Sequence, residues 1–560
     1  MKKIATLSLI TTSLLLGASP AVPTSSDIQR EVEPPKDLPK KATPLVEVGG
    51  VQKYAPMMKD DKSGKTIFVK NFKITAAIHM PESELQTLLA DFTNKDLTFA
   101  QLQEAASVIT KEYRANGFFV TRAYIPAQKM QDGIVEIAII EGNYGKFILD
   151  NSSRVSTPRV QAMLDNVKDA NIVSTATLER AMLIINDTPG AKVTAADVMP
   201  GAEVGTSDFA VKTEATPLYD GYVIGDNYGS RYTGQNRLMA GVNFNSLAGI
   251  GDKLSLSGLV SKEADLTNYR VGYAIPLMPN GLTGEVAYSM TKYALTEEYA
   301  DLNAEGTSNA LEATLSYPLI RTRLETLKIH STLAKKDLTD KLDGDTSTDK
   351  DVVSLNLGLT HTKDQMLLGL NTQIKSNLTL THGSLNFADD ASRTADEAGA
   401  QTAGTYNKLG GYVNATVQLP YEFALQTNLQ FQKAMGMKNL DGSEDMSIGG
   451  SNGVKVYPDG ELSAENAIML NIELFKALPT FANYSHKVGL FYDAAKADMQ
   501  DNKNDTTFES RTLQDVGIGY YANYNSLFAK AQLATVVGNE DILSEPNDNT
   551  RALVQLGWMF

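Results

Sequence analysis

The five histidines of this 560-residue chain, His79, His330, His361, His382 and His486, stand far apart, and no two have the spacing of a metal-binding pair. No H-E-x-x-H, G-x-S-x-G or G-x-x-x-x-G-K-[ST] run occurs. Cysteine is absent, which removes disulfides, thiolate metal sites and cysteine nucleophiles together. Asp501–Glu509 has some of the acidic spacing of a calcium loop, but Lys503 interrupts it and the required glycine is missing. The acidic run Asp343–Asp351 reads as a solvated loop, because a chain with 66 acids places carboxylates side by side by chance. These residue types predict no enzyme, no bound metal and no cofactor. The formal charge is -15, and removing Met1–Ala21 takes away two lysines and no acids, which gives -17. Phosphate binding needs a basic patch, so an acidic chain predicts no nucleic-acid partner.

The chemistry left to these charges is pairing inside a polar channel, and the C-terminus shows where such a channel would come from. Ala552, Val554, Leu556, Trp558 and Phe560 are apolar at every second position, and the chain stops on the aromatic. A period of two puts them on one face of a strand. A strand that faces lipid ends this way, with aromatics at the interface, so Trp558 and Phe560 read as a barrel-insertion signal for the outer-membrane assembly machinery.

The N-terminus carries an export address. Lys2 and Lys3 precede an apolar run from Ile4 to Leu16, and Ser19 and Ala21 set a cleavage site after Ala21. That run is too short to span a membrane, and no later stretch offers about 18 consecutive apolar residues. Only a closed barrel could then cross a bilayer, since every backbone polar group must be paired within the chain.

Residues 22–65 read as a linker broken by Pro23, Pro34, Pro35, Pro39 and Pro44. A short helix around Asp27–Val32 is allowed but not required, and nothing in residues 22–35 decides whether they plug a pore. Residues 66–142 follow the order strand, helix, helix, strand, strand. Leu102, Ala105, Ile109 and Tyr113 have helical spacing, Gly117 stands as a C-cap, and Asp132-Gly133 marks a turn. Residues 143–217 repeat the order, with helices near Thr157–Leu164 and Ala176–Ile185. Two small α+β domains result.

From residue 218 to Phe560 helical periodicity disappears, and about 16 alternating segments recur between Gly, Asn, Asp and Pro turns. In Leu409–Leu419, Tyr412, Asn414, Thr416 and Gln418 oppose Leu409, Val413, Ala415, Val417 and Leu419. In Leu527–Leu533, Lys530 and Gln532 oppose the apolar positions. In Lys487–Asp493, Val488, Leu490 and Tyr492 oppose Lys487, Phe491 and Asp493. The polar face must be the lumen, because a charge in lipid costs about 2–4 kcal/mol. Alternation therefore places Asp493 inside, and Glu473 with it, opposite Leu470, Ile472 and Leu474. The fold class expected is a transmembrane β-barrel of about 16 antiparallel strands, preceded by two small α+β domains. Short turns such as Met278-Pro279-Asn280-Gly281 would face the periplasm, and the long connection 434–461 the exterior.

Several runs in order make the chain resemble the two-partner secretion transporters of the haemolysin activator and filamentous haemagglutinin transporter family. Tyr113, Gly117, Arg122-Ala123, Pro126, Gln128, Asp132-Gly133 and Glu141-Gly142 sit as in that family's first POTRA domain. Leu178-Glu179-Arg180-Ala181 and Asn186-Asp187-Thr188-Pro189-Gly190 match the second, with Pro200-Gly201 and Gly205-Thr206-Ser207 after them. Asn227-Tyr228-Gly229, Thr233-Gly234, Arg237 and Gly251-Asp252 match the start of the barrel. The family's V-R-G-Y loop motif falls on Val454-Lys455-Val456-Tyr457, followed by Gly460-Glu461, so lysine and valine stand where arginine and glycine are usual. Its F-x-D wall motif falls on Phe491-Tyr492-Asp493.

The resemblance implies a loop folded into the lumen, its cation paired with a wall carboxylate, Asp493 or Glu473. It also implies that the POTRA pair captures the N-terminal secretion domain of a cognate exoprotein, with Tyr113, Arg122, Pro126, Gln128 and Arg180 as partner-binding candidates. Lysine pairs as a point charge and lacks arginine's planar bidentate contact. The expected function is export of that exoprotein across the outer membrane, in contact with lipid and without ATP. The alternative is an outer-membrane insertase, whose relatives carry more than the two POTRA domains seen here. A porin lacks such domains, and surface adhesion is not favoured by the acidic loops.

Overall fold

The computed structural model describes residues 22–32, 48–49, 65–129, 132–170, 172–262, 265–436, 438–498, 510–546 and 548–560. The export segment 1–21 and the acidic loop 501–509 lie outside them, as does most of the linker.

The first small domain builds a three-stranded sheet in the order Asn71–Thr75, Ile134–Ile140, Arg122–Tyr124, the first pair parallel and the second antiparallel. A separate antiparallel pair, Thr66–Val69 with Lys95–Thr98, precedes the main helix Phe99–Ala115. Thr98 caps that helix by accepting from the Gln101 backbone, and Gln101 reaches back to the Thr98 backbone. Leu102, Ala105, Ile109 and Tyr113 lie on its buried face, as their spacing predicts. The second domain pairs Asn143–Ser152 parallel to Thr206–Glu214, which runs antiparallel to Lys192–Pro200. Helices Thr157–Asp165 and Thr175–Asp187 belong to the same unit, and residues of both enter one core with Phe147, Val193 and Phe209. Val48–Gly49, from the linker, adds a parallel strand to the Lys192–Pro200 edge.

Sixteen strands then close a barrel in sequence order. They are β1 (Tyr219–Asp226), β2 (Arg237–Asn245), β3 (Lys253–Ser261), β4 (Thr267–Pro276), β5 (Thr283–Ala294), β6 (Glu305–Arg321), β7 (Glu325–Leu342) and β8 (Asp345–Leu367). The second half is β9 (Leu370–Phe387), β10 (Gly404–Leu419), β11 (Phe423–Met435), β12 (Asn466–Ala477), β13 (Tyr484–Asp498), β14 (Ser510–Tyr524), β15 (Leu527–Val536) and β16 (Thr550–Met559). Every neighbouring pair is antiparallel, and β1 closes on β16 through Tyr222–Asp226 against Met559–Gln555. Phe560 adds to this closure, exchanging backbone hydrogen bonds with Gly221. Val554, Leu556, Trp558 and Phe560 all stay exposed on the outer face. The alternation read from β10, β13 and β15 holds: Val488, Leu490 and Tyr492 face out, whereas Asp493 is fully enclosed.

One rim of the barrel carries the second small domain. Its Arg159 donates to the Pro276 carbonyl beside the β4–β5 turn. Asp187 receives two hydrogen bonds from Arg321 at the end of β6, and Glu179 accepts from the Arg323 backbone. The Met278–Gly281 turn therefore lies on the rim that holds this domain, the side expected for the short turns. Among the described residues no helix is long and apolar enough to cross a membrane. None of their His, Asp and Glu side chains form a group that could hold a metal ion.

Candidate functional site

The connection between β11 and β12 turns back into the barrel. Its arms pair briefly through Met446–Ser447 and Ser463–Ala464, so the segment is a hairpin slightly longer than the 434–461 read from the sequence. Glycines permit the tight tip: a Cβ on Gly453 would lie 2.0 Å from the Ile448 carbonyl oxygen, and Gly450 has φ +86°. Ile448, Val454, Val456, Tyr457 and Leu462 are buried with Met469 and Phe491 of the wall, so the tip has an apolar core of its own.

At that tip the Lys455 ammonium donates to Asp493 Oδ2 at 2.6 Å and lies 4.4 Å from the centroid of the Phe491 ring. Asn471 of β12 donates to the other Asp493 oxygen, at 2.9 Å, and to the Gly453 carbonyl. The loop cation thus meets a carboxylate oriented by a neighbouring strand. The Val456 backbone N–H donates to Asp515 of β14 at 2.7 Å. Tyr457 donates to the Glu540 carbonyl. Glu461 accepts from the Leu543 and Ser544 backbone, the Ser544 hydroxyl and Arg511. Gly460 has φ +80° and turns the chain between Asp459 and Glu461. Valine is accommodated where the family has glycine because position 456 is not left-handed and its side chain enters the apolar cluster.

Lys455 pairs with Asp493 and not with Glu473. Glu473 does face the lumen, but the Tyr521 hydroxyl donates to it, and Gln532 supports that hydroxyl at 2.8 Å. Alternation fixed the face of each carboxylate and left the choice between them to the height of the loop tip.

A second piece of chain shares the lumen. The helix Ser25–Glu31 lies against the walls of β5, β6 and β7 and against the base of the loop. The Asp27 carboxylate accepts from Thr24 N and Oγ1, the reach-back half of a capping box. Ile28 and Val32 are buried with Ile224, Met239, Tyr293 and Tyr299. Ser25 donates from its backbone and hydroxyl to Asp340, which also accepts from Tyr293 at 2.6 Å. The short helix allowed around Asp27–Val32 is therefore present, begins two residues earlier and plugs the barrel.

The partner-binding candidates separate. Tyr113 is fully buried and donates to Glu141 at 2.9 Å, so its ring is core and offers no surface. Gln128 both accepts from the Glu136 backbone N–H and donates to the Glu136 carbonyl, extending the sheet by side-chain mimicry. Arg180 donates to the carbonyls of Asn280, Pro318 and Leu319 and lies over the Tyr317 ring, so it docks its domain on the barrel. Tyr113 therefore offers no surface to a partner, whereas Gln128 and Arg180 are half-buried and also engaged in these internal contacts. Arg122, on the edge strand, and Pro126, just beyond it, are half-buried as well. Sequence alone does not single out Asp515, Asn471 and Asp340. A polar residue at an inward position of a strand was the available signal.

Two small domains docked to a closed 16-stranded barrel, with the lumen filled by an inward hairpin and an N-terminal helix, define an outer-membrane protein transporter. The family model described as "Haemolysin secretion/activation protein ShlB/FhaC/HecB" matches residues 205–520, and one described as "POTRA domain, ShlB-type" matches residues 67–142. The chain belongs to the ShlB/FhaC/HecB family, the outer-membrane transporters of two-partner secretion, which secrete a cognate exoprotein. It is 27% identical over 509 residues to the heme/hemopexin transporter protein HuxB of Haemophilus influenzae, covering 89% of this chain and 88% of HuxB. It is 24% identical to the outer membrane transporter CdiB of Dickeya dadantii, covering 84% and 86% of the two chains. The solved structure of CdiB from Escherichia coli superposes with a TM-score of 0.73 at 19% identity, over 90% of this chain and 93% of that one.

Proposed function

We propose that the small domains stand in the periplasm, capture the N-terminal domain of the exoprotein and feed it through the barrel lumen, with no nucleotide hydrolysis and no catalysed reaction. The observation that carries this reading is that the lumen is filled by two segments of the chain that only non-covalent contacts hold. Both can leave without breaking the closed strand ladder. Capture by strand addition has a precedent inside the molecule, where Val48–Gly49 already pairs with a sheet edge through backbone bonds. The apolar outer face suits contact with outer-membrane lipid, and the exposed Trp558 and Phe560 suit recognition by the barrel assembly machinery. Folding of the exoprotein outside would oppose its return and supply direction.

The test compares secreted and surface proteins by mass spectrometry with and without this chain. Loss of one large exoprotein, with other barrels unchanged, is expected and names the cargo; HuxB makes a heme- or hemopexin-binding protein the first to look for. A broad fall in many barrel proteins would replace this reading by the insertase one. Lys455→Ala should impair export while the barrel still inserts, and wild-type export would remove the tip contact from the mechanism.

A further inference from the structure

The base of the loop is anchored separately from its tip. At the tip the loop cation Lys455 meets the wall carboxylate Asp493. At the base, loop carboxylates meet wall cations: Glu444 receives Lys336 of β7 at 2.7 Å and Lys408 of β10 at 2.9 Å, and Asp441 receives Lys350 of β8 at 2.6 Å. Asp441 and Glu444 are both enclosed. Lys336 and Lys408 also donate to the Ser443 and Glu444 carbonyls, so backbone and side chains are gripped together. Enclosed charges at this site require their partners, because removing one side leaves the other desolvated and unpaired.

The plug meets the loop at this same place. Ser26 donates to Asp441 Oδ1, the oxygen not used by Lys350, at 3.3 Å. Its neighbour Ser25 donates to Asp340 of the wall. Asp441 therefore holds wall lysine, loop turn and plug helix at once, since Ser443 also donates to it.

We propose that Asp441 and Lys350 are positioning residues that couple the plug to the loop. Release of the loop at its base withdraws an acceptor from Ser26 and loosens the plug, whereas release of Lys455 from Asp493 frees only the tip. The consequence for export rests on the lumen being the transport path, but the coupling itself is testable without any exoprotein.

Two measurements on the full chain test it. The first uses planar-bilayer recordings of the fraction of time in the large-conductance state, for variants whose folded barrel is verified by heat-modifiable gel mobility. Asp441→Ala should raise that fraction about tenfold and Ser26→Ala about threefold, within the range expected for the net loss of a typical hydrogen bond. The double variant Ser26→Ala/Asp441→Ala should match Asp441→Ala alone, while Ser26→Ala/Lys455→Ala should show the product of its singles. Multiplying effects in the first pair would overturn the coupling. The second uses engineered cysteines in this cysteine-free chain. A Cβ at Gly442 would lie 3.7 Å from Ser26 Cβ, near the separation of about 3.8 Å that a disulfide needs. Ser26→Cys/Gly442→Cys should oxidise rapidly, severalfold more slowly when Lys350→Met is added, and unchanged when Lys455→Ala is added. The reverse order would place the coupling at the tip.

Discussion

The two small domains sit in tandem and differ in element order, the first placing the strand Lys95–Thr98 between its helices Glu82–Leu88 and Phe99–Ala115 where a direct helix-to-helix connection was expected. They also use their polar residues in opposite ways. The first turns them inward: Glu141 accepts from the Ile78 and His79 backbone, the His79 ring and the Tyr113 hydroxyl. The second turns them onto the barrel, through Arg159, Arg180 and Glu179, and through Asp187 paired with Arg321. The difference assigns each a task. The second domain is a mount that fixes the assembly to the rim. Under the function proposed above, the first, with its edge strand Arg122–Tyr124 and exposed Ile78, is the domain left for capture.

Removing residues 66–142 attacks this contrast most strongly. Affinity for the exoprotein's N-terminal domain should fall by at least about 100-fold, roughly 2.7 kcal/mol or more, while the barrel still folds; binding assays with purified protein read it out. Undiminished affinity would move capture to the second domain.

Breaking the mount should cost less. Arg180→Ala with Arg321→Ala removes contacts that are partly solvent-exposed, so the dock should lose about 1–2 kcal/mol and export about tenfold. Cross-linking between the second domain and the β6–β7 turn should fall in parallel. A normal cross-link would show that these arginines do not hold the domain.

Inside the first domain, Tyr113→Phe should lower local stability by about 1–2 kcal/mol, because Glu141 loses a donor it cannot replace with water. Hydrogen exchange of helix Phe99–Ala115 measures this, and protection equal to wild type would empty the hub of significance.

The smallest effect concerns pH. Burial alone would raise the Glu141 pKa, but hydrogen bonds from the His79 backbone and ring, the Ile78 backbone and Tyr113 outweigh it and hold the carboxyl below its ordinary value. A depressed folded-state pKa gives stability that is present above the unfolded value of about 4.3 and lost as pH falls through the folded one. The first domain should therefore loosen below about pH 4.3, with Glu141→Gln flattening the profile. Among its described residues the second domain shows no such hub, and it should not follow this profile.

Sequence by itself determined the barrel, because alternation with a period of two is a local property that each strand carries. It placed Asp493 and Glu473 inside, found the loop from its glycines and marked the closing strand at Trp558 and Phe560. Tyr113 shows the limit of that reading: helical spacing put it on the buried face, while its place in a familial run suggested a surface role, and burial prevailed. Arg180 shows the same limit at the rim, because an arginine in a helix does not reveal which carbonyls will face it. Tertiary structure alone decided that Lys455 meets Asp493, that Ser25–Glu31 fills the lumen, and that Asp441 stands between plug, loop and wall. Ser26 and Asp441 are 415 residues apart in the chain, and only closure of the strand ladder brings them within hydrogen-bond distance. Long-range pairing of this kind leaves no periodic trace, since it depends on barrel curvature and loop height.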